Sequence, residues 1–335
     1  MPTRLTVNQA ANLAANLTDT FQTQFEQRWG HLNDIHVRSL AWLLDAPDLL
    51  DPQAPQWQGK IATLQGALPH DINDWLQALD RDPDALHRYL NVQVFTRLGR
   101  YAEKLLAYYF EARGLLAAHG VQVRAGKNST IGEFDFLLRD GEGLLHWEFA
   151  TKFYLLESSG AGEDADYFVG PNLADTLGAK MHKILERQLM LSQHPAAQVH
   201  LSAPVKQAQA LVKGWLFYHQ DDRANAAICG ISVDHCRGFW CALAETEQMT
   251  AERYAVVPRL HWLAPAKLDL SKTMDKQALQ EMLAAHFVDD TMPVLVVLLD
   301  VRGDVALESS RGFIVPDDWR TRAGQRVKLV HPLPQ

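Results

Sequence analysis

The chain has 335 residues, 47% of them apolar and 21% charged, which is ordinary globular composition with enough length for a full core and about two domains. Thirty-two Lys and Arg stand against 40 Asp and Glu, a net charge of −8, which excludes a polybasic protein that binds through bulk positive charge. Three cysteines argue against a disulfide framework and fit a reducing cytoplasm, and the longest aliphatic run, Val294 to Leu299, is far short of a membrane span, so no membrane partner is expected.

The first thirty residues are rich in Asn, Gln and Ala, with few large apolar groups before Phe21, Phe25 and Trp29. They read as an N-terminal extension, a loosely attached helix or a partly disordered segment. Residues 31–92 read as a helical region. Arg38 to Leu44 forms a short buried helix, a Pro-rich connection runs from Asp51 to Gly59, and Asp71 caps a helix with Ile72, Trp75, Leu76 and Leu79 at helical spacing. A long helix covers about 95–113, with Leu98, Ala102, Leu105 and Tyr109 on its apolar stripe and Gly114 as its stop. Strand patterns follow at 120–124, 131–138 and 144–154, then an Asp- and Gly-rich loop from Ser158 to Asn172, and a second amphipathic helix over about 173–192. Further strands are expected at 197–201, 214–218, 226–233 and 293–299, with a helix near 274–286. A boundary near 220 separates a core of 93–220 from a C-terminal α/β region of 221–335. The fold class is α/β.

The stretch from Ile131 to Tyr154 carries the most chemistry. It reads as a hairpin turning at Asp140-Gly141-Glu142-Gly143. Alternation puts Phe134, Phe136 and Leu138 on one face of the first strand and Glu133 and Asp135 on the other. On the second strand Leu145, Trp147, Phe149 and Phe153 oppose His146, Glu148, Ala150 and Lys152. A two-residue loop at Gly141-Glu142 sets Asp135 across from Glu148, with Glu133 and Lys152 on the same side. Facing carboxylates repel unless a cation lies between them, and oxygen-only ligands beside a lysine suit Mg²⁺ or Mn²⁺. The plainer reading of the same pattern is a solvated charged face.

The order Leu98-Gly-Arg-Tyr-Ala-Glu103, Val121 to Lys127, Gly132-Glu-Phe-Asp135, and Glu148 to Lys152 resembles the PD-(D/E)XK nuclease superfamily, specifically its Holliday-junction-resolvase-like members. The stretches HWEFATKFYL, YFVGPN and RGFIVPDDW resemble a bacterial family of unknown function placed in that superfamily. The resemblance implies a restriction-endonuclease-like mixed sheet flanked by helices, and a Mg²⁺- or Mn²⁺-dependent nuclease whose partner is nucleic acid, DNA in the first instance. It implies Asp135, Glu148 and Glu103 as metal ligands and catalytic groups, with Lys152 as the catalytic lysine. Arg124 and Lys127 on the entering strand and loop, and Lys180, Lys183 and Arg187 at i, i+3 and i+7 of the following helix, are the candidate nucleic-acid contacts. One departure stands out. The family lysine follows its acid by two residues, whereas Lys152 follows Glu148 by four with Ala150 between. Either the acid is displaced to Glu148 or Glu133, or the lysine is lost, or the strand is locally distorted. The alternative function is a catalytically degenerate nuclease-like fold that binds nucleic acid or protein.

Cys229, His235, Cys236 and Cys241 lack zinc-site spacing and read as small buried residues. Ala125 to Ser129 echoes the end of a P-loop without its first glycine and reads as a turn.

Overall fold

The computed structural model describes residues 20–91, 95–126, 129–157, 165–219 and 230–330. Among these residues ten strands form one mixed sheet: β1 (Leu116–Gly126), β2 (Ser129–Asp140), β3 (Gly143–Leu156), β4 (Phe168–Val169), β5 (Val205–Tyr218), β6 (Cys236–Ala242), β7 (Arg253–Val256), β8 (Lys267–Asp269), β9 (Val294–Arg302) and β10 (Val305–Val315). Along the sheet the order is β1-β2-β3-β5-β6-β10-β9-β7, with β4 on β3 and β8 on β10. The expected α/β class, with helices flanking a mixed sheet, a helical N-terminal region and further α/β structure after it, is therefore observed. β5 and β6 pair directly, in parallel, so the sheet continues past the expected boundary near 220, which itself lies outside the described residues.

The N-terminal helices are α1 (Phe21–Trp29), α2 (Ile35–Asp45), α3 (Ile72–Arg81) and α4 (Asp84–Leu90). Of the expected N-terminal extension, residues 1–19 lie outside the described residues, whereas α1 buries Phe25 and Trp29 in the main core, and Gln22 donates to Glu308 on β10 at 3.4 Å. Large aromatic side chains at i and i+4 supply the apolar stripe that the polar composition of the first thirty residues obscures. Asp34 caps α2 by accepting from the amides of His36 and Val37. The α2 region is tied to β5 through fully buried Lys213, which donates to the Ala46 carbonyl at 2.6 Å and to Asp48 at 2.9 Å.

α5 (Leu98–Ala112) is the expected long helix, ending before Gly114 in the left-handed region. It buries Ala102, Leu105 and Leu106 in the cluster that holds Phe136, Trp147 and Phe153, and so covers one face of β2 and β3. On the other face lies α6 (Leu177–Lys183), whose Leu177 and Met181 pack with Ala150 and Tyr154 of β3. α6 runs directly into a π turn, Ile184–Gln188, closed by the Leu189 amide donating to the Ile184 carbonyl at 3.0 Å, so the uniform helix expected to 192 is interrupted. The strand expected at 197–201 is also corrected: Pro195–His200 forms 3₁₀ turns, with Pro195 at a position that favours helix entry. The run expected at 226–233 lies mostly outside the described residues. α7 (Lys276–Asp289) matches the late helix, and α8 (Trp319–Val330) closes the chain's described part.

Candidate active site

The β2–β3 hairpin turns at Gly141-Glu142 and pairs Asp140 with Gly143 through to Phe136 with Trp147. There the ladder stops and β2 leaves β3. Asp135, the next residue, sends its side chain where a strand would have sent its backbone: Oδ2 accepts from the Phe149 amide at 2.9 Å. Among the described residues β3 regains a strand neighbour on that side at Leu155 and Leu156, through β4. The result is an open edge along the middle of β3 and a cleft of about 640 Å³ lined by Asp135, Glu103, Thr151, Lys152 and Tyr154 among others.

Where β2 departs, its alternation changes. Phe136 and Leu138 enter the main core, but Phe134 packs with Val123, Leu137, Leu191 and Ala197 on the other side. The flanking pairs His119 with Phe136 and Val121 with Phe134 set Gly120, in the left-handed region, opposite Asp135, so the β1–β2 pair twists at this point. The expected single aromatic face, with all four charged residues behind it, is thereby corrected. Glu133 and Asp135 turn toward α5 instead, where they meet Glu103, and the nearest carboxylate oxygens of these three residues lie within 4.8 Å of one another.

Glu103 is almost fully buried and contacts His119 Nε2 at 2.9 Å. Arg100, one turn earlier on α5, donates to Glu133 at 2.7 Å and to Glu103 at 3.3 Å. The guanidinium holds the Glu133 carboxyl below its ordinary range. Among the described residues no cation hydrogen-bonds to Asp135, and burial together with the charges of Glu148 and Glu103 pushes its pKa up.

Glu148 is 1% exposed and stands outside this trio of carboxylates, on the α6 side of β3. One of its oxygens is 2.8 Å from His146 Nε2, and the other accepts from the Gln188 side-chain amide. Burial raises its pKa, and the Gln188 hydrogen bond opposes that rise. Burial pushes the pKa of His146 down to about 4, which favours its neutral form beside Glu148. The π turn explains Gln188: the extra residue rotates the end of the helix off its regular period, and Gln188 faces the sheet.

Lys152 projects on the same side of β3, and its pKa is lowered to about 8 by burial and by Lys180. The pairing of β3 with β5 is unbroken from Leu145–Gln207 to Leu155–Phe217, so local distortion does not account for the four-residue spacing of Glu148 and Lys152. Four residues of regular strand span roughly 13 Å. Gly214 pairs with Lys152, and a Cβ there would lie 1.9 Å from the Lys152 carbonyl oxygen, so only glycine permits this approach.

Among the expected nucleic-acid contacts, Lys180 lines the cleft and pairs with Asp175 at 3.0 Å. Lys183 and Arg187 are exposed, but the π turn takes Arg187 off the common face. Arg124 is exposed on β1 and donates to Gln122, and Lys127 lies outside the described residues. Sequence reasoning did not single out Arg97, Arg100 or Arg259, all of which line the cleft. Arg100 carried a readable signal, three residues before Glu103 on a helix; Arg259 carried none, being brought in from far along the chain.

Cys236 is buried, Cys241 is half-buried, and His235 Nε2 is 2.8 Å from the Tyr218 hydroxyl, while Cys229 lies outside the described residues. Arg311 of the RGFIVPDDW stretch is fully buried over the Trp215 ring, paired with Glu308, and donates to the carbonyls of Trp262 and Ala264. Among the described residues no helix is long and apolar enough to cross a membrane.

Fold and site together define a mixed α/β protein with an acidic cluster at the split of a strand pair. The chain belongs to the family described as Domain of unknown function (DUF1853), whose model matches residues 38–315. No curated protein and no solved structure matches the chain.

Proposed function

We propose that the protein is a divalent-metal-dependent nuclease that hydrolyses phosphodiester bonds in DNA, with a core of the PD-(D/E)XK kind. The observation that carries the reading is the meeting of Asp135, Glu103 and Glu133 at the split edge of β3, where Asp135 and Glu103 line a cleft with Lys152. Three hard oxygen donors without sulfur or imidazole suit Mg²⁺ or Mn²⁺, and the pKa of Asp135, raised by burial and by the neighbouring carboxylates, is a shift that a bound cation would offset. Asp135, Glu103 and Glu133 would hold the ion, with Glu148 behind them as an acid kept in place by His146 and Gln188. Such an ion supplies Lewis-acid polarisation of a phosphate oxygen and a lowered pKa for water. Lys152, with a pKa near 8, can both stabilise negative charge in its protonated form and exchange a proton close to neutral pH. Arg100 neutralises Glu133 and Glu103 and orients both.

A second reading, a binding module that has lost catalysis, draws support from Ala150 and from the satisfied state of Glu148, whose two oxygens each have a partner. Incubating the purified chain with labelled DNA and Mn²⁺, beside Asp135→Ala and a chelator control, separates the two. Cleavage lost in both controls supports the nuclease. Cleavage that persists unchanged in Asp135→Ala refutes the site, and binding without cleavage that ignores the chelator favours the module.

A further inference from the structure

The chain carries a net charge of −8, yet five cations, Arg97, Arg100, Lys152, Lys180 and Arg259, line the cleft against three carboxylates. Arg100 and Lys180 are committed to carboxylates. Arg97, exposed at the start of α5, makes no ion pair among the described residues, and neither does Arg259, whose guanidinium lies over the Trp262 ring at 5.6 Å. The two arginines reach the cleft from positions 162 residues apart. Free cations facing an acidic cluster are what an anionic ligand requires if it is to approach carboxylates at all.

The wall that carries Arg259 is tied to the core by hydrogen bonds and ring contacts. The Trp262 indole donates to the Val257 carbonyl at 3.1 Å and packs on Phe153 and Phe313, and buried Arg311 holds the carbonyls of Trp262 and Ala264. Met292 and Pro293 add to the lining. A volume of about 640 Å³ is in the range of clefts that enclose one small organic molecule. That volume is small beside the paired strands of a duplex, so the cleft itself receives a short stretch of one chain.

Building on the nuclease reading, we propose that the cleft takes a single nucleic-acid strand rather than a duplex, with Arg97 and Arg259 holding backbone phosphates on either side of the carboxylate cluster. The Arg259–Trp262 pair then offers a cationic and aromatic surface of the type that single-strand grooves use.

The test is fluorescence anisotropy with a labelled 12-nucleotide DNA strand, the same sequence as RNA, and its DNA duplex. All are titrated in Ca²⁺ against the full chain, Arg97→Ala/Arg259→Ala, and the charge-matched control Arg88→Ala/Arg302→Ala, whose residues are exposed and outside the cleft. The single strand is expected to bind at least tenfold more tightly than the duplex. The cleft variant is expected to weaken strand binding tenfold or more and to reduce the log–log salt slope by about 1.4, from two lost phosphate contacts at about 0.7 each. The control is expected to change it less than twofold. The DNA and RNA arms show which strand is taken. Duplex binding equal to or tighter than strand binding overturns the inference, as does equal weakening in both variants or the absence of any nucleic-acid binding. Mn²⁺ binding is measured on the same preparations. If Mn²⁺ does not bind but the strand still binds through the two arginines, the metal reading falls and this one stands.

Discussion

Replacing Asp135 by Asn removes one charge from the acidic cluster while keeping an oxygen that can accept from the Phe149 amide. At the 4.8 Å limit of the cluster, two ionised carboxylates repel by about 3.5 kcal/mol at an effective dielectric constant of about 20. Arg100 offsets part of this at Glu133 and Glu103 but makes no hydrogen bond to Asp135. Proton uptake offsets more, because burial and the neighbouring carboxylates raise the Asp135 pKa. A carboxyl whose folded pKa lies above its unfolded value binds its proton more tightly in the folded state. Its contribution to stability is therefore largest at low pH and falls as pH rises from about 4 through the shifted value. Metal-free Asp135→Asn should match the wild type near pH 4 and exceed it by about 1–2 kcal/mol at pH 8, a fraction of the full repulsion. Urea denaturation in EDTA at pH 4, 6 and 8 measures this directly. With Mn²⁺ at a hundredfold excess over its Kd, the wild type should gain about 2.7 kcal/mol and the variant nothing. A variant less stable than the wild type at pH 8, or a difference independent of pH, would refute the electrostatic reasoning.

Gly214→Ala places a methyl group against the Lys152 carbonyl; DNA cleavage in Mn²⁺ should fall tenfold or more while calorimetric Mn²⁺ affinity stays within twofold. An unchanged cleavage rate would separate Lys152 from the chemistry. Arg311→Met leaves Glu308 buried without its cation and two carbonyls without a donor; denaturation should show a loss of about 3–5 kcal/mol, and a loss below about 1 kcal/mol would show that the pair is dispensable.

Much of the central hairpin was legible because its alternation and its Asp-Gly-Glu-Gly turn are local signals, and a two-residue loop leaves a single register. Glu103 was legible through the resemblance, which implies an acid on the helix before the strands, and α5 places it there. The twist at Asp135 was not, since it depends on the ladder ending after Phe136 and on Gly120 across the strand. Without it, Glu133 and Glu148 look like members of one face, whereas β3 separates them. Gln188 was not legible because a π turn breaks the period used to assign helix faces. Pro195 to His200 misled in the opposite direction, since its apolar residues resemble a strand but make a 3₁₀ turn against β1. The arginine wall is a product of tertiary structure alone: Arg259 and Trp262 face β3 because buried Arg311 gathers the segment's carbonyls.

Calorimetric titration of Mn²⁺ into the wild type and Asp135→Ala tests the central claim most directly. One saturable site in the wild type that disappears in the variant is the predicted result. No saturable binding, or binding that Asp135→Ala leaves intact, would contradict the account of the split strand pair as a metal centre.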